Sequence, residues 1–161
     1  MAFPPFTEEH RLFQETVRNF CERELGPLVD AAEAQESFPR EEVLPAMATL
    51  GLFRIGVPES MGGAGGDAWM QCLVGEEVAR ICGGFAIAVM PSVLGPSLLV
   101  KLGTPAQREA SLESLMAGRI LTAMALTEPG AGSDLLHLKT TARPDGDTYV
   151  LNGAKTFISN A

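Results

Sequence analysis

Leu126-Thr127-Glu128-Pro129-Gly130-Ala131-Gly132-Ser133-Asp134 and, further on, Asn152-Gly153-Ala154-Lys155-Thr156-Phe157-Ile158-Ser159-Asn160 lie where the chain changes character. Upstream, apolar residues recur at helical spacing. After Gly118 the pattern turns to short apolar runs divided by Asp145-Gly146 and Asn152-Gly153, which are hairpin signals. Ile120 to Leu126 suits a buried strand, Leu138 to Ala142 and Thr148 to Leu151 suit strands around Asp145-Gly146, and Asn152-Gly153 predicts a second hairpin into Lys155 to Ser159. The fold class is therefore α+β, with helices over residues 1–119 and the opening of an antiparallel sheet over residues 120–161.

Working back from that boundary, residues 7 to 36 predict a long amphipathic helix. Thr7 can cap it, Glu8 and Glu9 complement its dipole, and Phe13, Val17, Phe20, Cys21, Leu25 and Leu28 share one face. Gly26-Pro27 should kink or briefly interrupt it. A second helix is expected over Arg40 to Leu50, ended by Gly51. Residues 51 to 66 read as an irregular glycine-rich connector, within which Gly62 to Gly66 reads as a flexible turn. Asp67 then caps a helix to Cys82, and a fourth helix follows Gly83-Gly84, interrupted near Pro91 and Pro96. Thr104-Pro105-Ala106-Gln107 has the form of a capping box with proline at the first helical position.

Composition narrows the function. With 46% hydrophobic and 20% charged residues, the chain is an ordinary globular one. A net charge of −8 with scattered Lys and Arg excludes a nucleic-acid surface, which needs clustered positive charge. Anionic small ligands remain possible, because backbone amides bind phosphate without surplus cations. Cys21, Cys72 and Cys82 have no metal-ligand spacing and read as buried free thiols of a reducing compartment. Met1 to Phe6 lacks the basic and apolar regions of a secretory signal. The apolar run Phe85 to Leu102 contains two prolines and several turn formers, so no membrane span is expected and the protein reads as cytoplasmic.

Gly62-Gly63-Ala64-Gly65-Gly66 lacks the Gly-Lys-Ser/Thr ending of a P-loop, and Gly130-Ala131-Gly132 lacks the third glycine of a dinucleotide finger. Residues 127 to 134 still carry a mechanism. Glycines admit a bulky ligand close to the backbone, Thr127 and Ser133 add hydroxyls, and amides in such a turn can bind a pyrophosphate. Spacing alone equally describes a plain capped turn leaving a strand.

A wider match decides between them. Ala125 through Asp134 closely resembles the signature of acyl-CoA dehydrogenases. Leu50-Gly51-Leu52, Val57-Pro58-Glu59, Gly62-Gly63, Gly103 through Gln107, Asn152-Gly153 and Lys155 through Asn160 agree with that family in order. The resemblance implies an N-terminal all-α domain followed by the first strands of an antiparallel β-barrel-like domain, with the family's C-terminal helical domain absent. It implies FAD as cofactor, an acyl-CoA substrate, an electron-transferring flavoprotein as acceptor, and a homotetramer at full length. By position, Thr127 would contact the isoalloxazine ring and Leu126 would lie against it. Gly132 and Ser133 would face the pyrophosphate, with Ser133 also near the CoA. Phe157 stands where tryptophan often packs on the flavin, Ser159 where a hydroxyl bonds N5, and Met124 where some members carry an aromatic.

The implied reaction is α,β-dehydrogenation of the thioester, with hydride passing to flavin N5. The family's base is a glutamate of the C-terminal domain, so this polypeptide alone is expected to be inactive. Glu76, Glu77 and Glu128 read as salt-bridged or solvated carboxylates, His10 and His137 as surface residues, and Trp69 and Tyr149 as packing residues. Two alternatives stand beside the dehydrogenase: an acyl-CoA oxidase or related flavin monooxygenase, and a non-catalytic truncated helical module.

Overall fold

Thr7 opens the first helix as its sequence predicts. In the computed structural model, which describes residues 5–161, the Thr7 hydroxyl accepts from the His10 amide while the Thr7 amide donates to His10 Nδ1 at 2.9 Å. The capping box is closed by a histidine rather than the usual Glu or Gln. Residues Met1–Pro4, read above for a secretory signal, lie outside the described residues.

Helix α1 (Glu8–Phe20) passes into a π turn (Cys21–Leu25) and a 3₁₀ turn (Gly26–Leu28) before α2 (Val29–Ala34). Gly26-Pro27 is the cause. Pro27 has no amide hydrogen to give, and the Gly26 amide reaches back to the Cys21 carbonyl instead. Helix α3 (Arg40–Thr49) ends at Gly51, whose φ of 79° is a left-handed conformation that a side chain would resist. Helix α4 (Ala68–Ile81) is capped by Asp67, which accepts from the Met70 amide at 3.1 Å.

Helix α5 runs unbroken from Gly83 to Leu102, through both prolines. The expected interruption is absent. Each proline costs a helix about 3 kcal/mol. Burial of Phe85, Val89 and Val93 in the core returns roughly 1.5–3 kcal/mol apiece, a sum of the same size that offsets both prolines. By length and composition α5 could cross a membrane, yet 44% of its most apolar window is buried inside the protein.

Helix α6 (Pro105–Met116) carries the predicted box, with the Gln107 amide donating to Thr104 Oγ1 and the Thr104 amide to Gln107 Oε1. Thr104→Ala should cost about 1 kcal/mol. Urea unfolding followed by helical circular dichroism would register it as a lower midpoint at unchanged slope. An unchanged midpoint would mean that α6 does not depend on its cap.

These helices belong to a first compact unit, Met1–Thr122; a second is Ala123–Ala161. The core of the first unit joins Val17, Phe20, Cys21 and Leu25 to Val43, Leu44 and Met47, to Leu52 and Phe53, and to Val74, Val78, Val89 and Val93. A smaller cluster seats Leu112 and Met116 of α6 on Val57. The connector 51–66 is irregular as read, but its Gly62–Gly66 turn is tied down rather than flexible. Leu52, Phe53, Ile55 and Val57 are buried, and the Gly56, Ala64 and Gly65 amides bond Gly65, Arg54 and Val57 carbonyls.

Three expectations about side chains change. His10 is buried, not a surface residue: its Nε2 meets Asp67 Oδ2 at 3.0 Å, and Phe6 and Trp69 pack around it. Cys72 is exposed, whereas Cys21 and Cys82 are buried as expected; all three are free thiols. Tyr149 is 68% exposed and does not pack.

In the second unit, β1 (Thr141–Asp145) pairs antiparallel with β2 (Thr148–Asn152), Arg143 opposite Val150. Gly146, at φ 59°, takes the first position of the two-residue turn. Ile120 to Leu126 is irregular rather than a strand, with Ile120, Met124 and Leu126 each more than a third exposed. Lys155 to Ser159 does not return as a hairpin strand either. Gly153 still lies against Thr140, one step beyond the Thr141–Asn152 pair, and Thr156 then bonds the Thr127 carbonyl instead of a hairpin partner. His137 sits in a 3₁₀ turn (Leu135–His137) ahead of β1, exposed and paired with Asp134.

Candidate functional site

Pro129-Gly130 makes a tight turn. The Glu128 amide donates to the Ala131 carbonyl at 2.9 Å, and the Ala131 amide returns to the Glu128 carbonyl at 3.1 Å. Glu128 and Ala131 are thereby buried, while Gly130, Gly132 and Ser133 face outward. Neither Gly130 nor Gly132 has a left-handed φ, and a Cβ on either would meet nothing within 4 Å. Turn geometry and packing do not demand glycine there. The open backbone suits the close approach of something external.

The second motif segment comes back to the first. The Thr156 amide donates to the Thr127 carbonyl at 3.0 Å, and Lys155 Nζ donates to the Leu126 carbonyl at 2.9 Å. Leu126 and Thr127 on one segment and Phe157 and Ser159 on the other are thus neighbours within one unit. Thr127 and Ser159 are half-buried; Met124 is 37% and Leu126 45% exposed. Phe157 is 93% exposed and held at φ 56°. A bulky residue in the left-handed region carries strain of about 1–2 kcal/mol, and an aromatic ring in water adds no compensation. Strain of this kind collects where a ligand is held.

The charge beneath the turn is fixed. The Glu128 carboxylate accepts from the Lys139 amide at 2.7 Å and the Thr140 amide at 3.0 Å, and pairs with Lys155 at 3.0 Å. Hydrogen bonding from Thr140, through its amide, then from the Lys139 amide and Lys155, holds its carboxyl at about 2 against the opposing effect of desolvation. In the helical unit Glu77 is likewise pinned. It accepts from Arg18, Arg80 and Gln14, and the Arg18 hydrogen bonds above all bring it to about 2, although burial pushes it up. Glu76 is exposed. The reading of these carboxylates as paired or solvated agrees with their surroundings. Among the described residues no cluster of His, Cys, Asp and Glu could hold a metal ion.

In the sequence Lys155 is one residue of the second motif segment, with no role of its own. No local signal joins it to Glu128, because the contact depends on how the loop after β2 returns.

The acyl-CoA dehydrogenase N-terminal domain matches residues 7–119 and the middle domain residues 123–161. The chain is 43% identical to the 3-(aryl)acrylate reductase of Clostridium sporogenes and 40% identical to the CarC subunit of the caffeyl-CoA reductase–Etf complex of Acetobacterium woodii. In each case the match covers 97% of this chain and 41% of the relative. The crystal structure of an acyl-CoA dehydrogenase complexed with FAD from Bacillus anthracis superposes with a TM-score of 0.82 at 38% identity, over 99% of this chain and 28% of that one. The chain thus spans about two fifths of the length of these curated relatives.

Proposed function

The chain belongs to the acyl-CoA dehydrogenase family, and from that premise we propose that the protein is an FAD-dependent oxidoreductase acting on the Cα–Cβ bond of an acyl-CoA thioester. The observation that carries the reading is the return of residues 155–159 onto 126–128, which sets the two motif segments side by side. FAD, when bound, supplies the two-electron sink.

The residues present fit such a group. An open glycine backbone and an outward Ser133 suit a pyrophosphate, and an exposed ring at Phe157, on the segment bonded to Leu126 and Thr127, suits an apolar planar partner. Thr127 and Ser159 would hold the ring system through their hydroxyls, Leu126 and Phe157 would cover it, and Met124 would border it. Gly132 and Ser133 would hold the pyrophosphate, with Ser133 also toward the CoA. Neither Glu77 nor Glu128 is offered as the proton-abstracting base. A carboxyl at about 2 is far too weak a base for work near neutrality.

The named complex of one relative with an Etf supports an electron-transferring flavoprotein as redox partner. Some of the relatives are named reductases and others dehydrogenases, and the reductase names support a second reading: reduction of an unsaturated acyl group. Anaerobic titration of the protein produced from its natural reading frame separates the two. A dehydrogenase is bleached almost completely by one equivalent of a saturated acyl-CoA; a reductase is bleached little by it and, once reduced, regains its full yellow colour with one equivalent of an enoyl-CoA. Rapid reoxidation by oxygen would instead identify an oxidase, and a protein with no affinity for FAD would end the reading altogether.

Ser133→Asp tests the pyrophosphate assignment. Ser133 is exposed, so stability should hold within about 0.5 kcal/mol. A carboxylate against a pyrophosphate should weaken FAD binding about tenfold or more, measured by flavin fluorescence quenching. Unchanged affinity would remove Ser133 from the site.

A further inference from the structure

Lys155 reaches across the two motif segments. Its ammonium sits 3.0 Å from Glu128 Oε1 and 2.9 Å from the Leu126 carbonyl. The side chains are 24% and 6% exposed, so the pair is largely withdrawn from water. Glu128 is also anchored by the Thr140 amide at the same oxygen and by the Lys139 amide at Oε2, on the approach to β1. One cation therefore ties a carboxylate fixed to the sheet, a carbonyl next to Thr127, and its own segment, whose next residue donates to Thr127. Nothing else in Lys155 calls for burial.

We propose that Lys155, backed by Glu128, is a positioning residue that locks residues 126–128 to residues 155–159 before the cofactor arrives, an inference that rests on the flavin reading above. Leu126 and Thr127 lie on one side of the lock, Phe157 and Ser159 on the other. With the lock closed, ordering of these contacts is complete in the free protein, and binding is relieved of that cost. With it open, Glu128 is left buried with fewer partners, the Leu126 carbonyl loses its donor, and the strained Phe157 backbone can relax.

The test compares wild type, Lys155→Met and Lys155→Arg, each produced from the natural reading frame. Hydrogen exchange by mass spectrometry, on protein stripped of flavin, reads the lock itself. Lys155→Met should speed exchange of the Thr156 amide about tenfold, while β1 and β2 amides keep their rates. FAD titration of the same proteins should give a dissociation constant raised about tenfold in Lys155→Met. Lys155→Arg, which keeps charge and reach, should restore both. Unchanged exchange at Thr156, or faster exchange with wild-type FAD affinity, overturns the proposal. If Lys155→Met loses the strand ladder as well, Lys155→Arg decides: recovery of the ladder without recovery of FAD affinity also overturns it. Wild type that binds no FAD defeats the flavin reading instead, and the exchange data still judge the lock.

Discussion

Arg18→Met lowers the stability of the helical unit by about 3 kcal/mol at neutral pH. Glu77 is 1% exposed, and its two oxygens accept from Arg18 Nε and Nη2, Arg80 Nη1 and Gln14 Nε2 at 2.8 to 3.0 Å. Methionine keeps the stem of Arg18 in place and removes two of those four hydrogen bonds. A buried carboxylate with incomplete compensation is what makes such a loss large. The arginines, at 41% and 48% exposure, can return to water when the acid is removed instead. The double variant Arg18→Met/Glu77→Met should therefore recover most of the loss. Urea unfolding of wild type, Arg18→Met, Glu77→Met and the double variant gives the comparison; a double variant as unstable as the sum of the two single ones would contradict it.

The same network sets an acid limb. The folded carboxyl of Glu77 lies at about 2, below its ordinary 4.5. Its contribution is thus complete above pH 4.5 and is lost as pH falls toward 2. Without Arg18 the carboxyl is held down less, so the gap between wild type and Arg18→Met should close across that window.

Gly63→Ala costs about 3 kcal/mol. A Cβ at that position would sit 2.0 Å from the Val57 carbonyl oxygen and 2.4 Å from its carbon. Both are backbone atoms, and that oxygen already accepts from the Gly65 amide at 2.9 Å. Relief requires moving Val57, which is wholly buried against α6. Gly62→Ala is the informative contrast. Gly62 has a φ of 78°, but a Cβ there meets only side-chain atoms at 3.7 Å, so the cost is the left-handed strain alone, about 1 kcal/mol. Thermal unfolding should rank Gly63→Ala well below Gly62→Ala, although only the second glycine has an unusual backbone angle. The reverse order would show that the connector yields where the packing says it cannot.

How much of this was readable beforehand follows from how local each cause is. Thr7, Gly51, Asp67 and Thr104 act within a turn of themselves, and the helices begin and end where those residues predict. The continuity of α5 was not readable, because the penalty of Pro91 and Pro96 is local while its compensation comes from α4 and the rest of the core. The connector 51–66 misled for the same reason: its glycines look permissive in sequence, yet Gly63 is required by contact with Val57. The strand expected over Lys155 to Ser159 does not form because Thr156 bonds Thr127, a partner distant in sequence. For the site, the two motif segments were legible from residue types and order. The Glu128–Lys155 bridge was not, since nothing near either residue names its partner.

His10 carries a last consequence. Its Nδ1 accepts from the Thr7 amide, which leaves the ring proton on Nε2 for Asp67, the residue that caps α4. Two helix beginnings far apart along the chain therefore share one imidazole. Fraying, elsewhere a private event at each terminus, becomes joint here: neither α1 nor α4 can unwind its opening turn without loosening the other's.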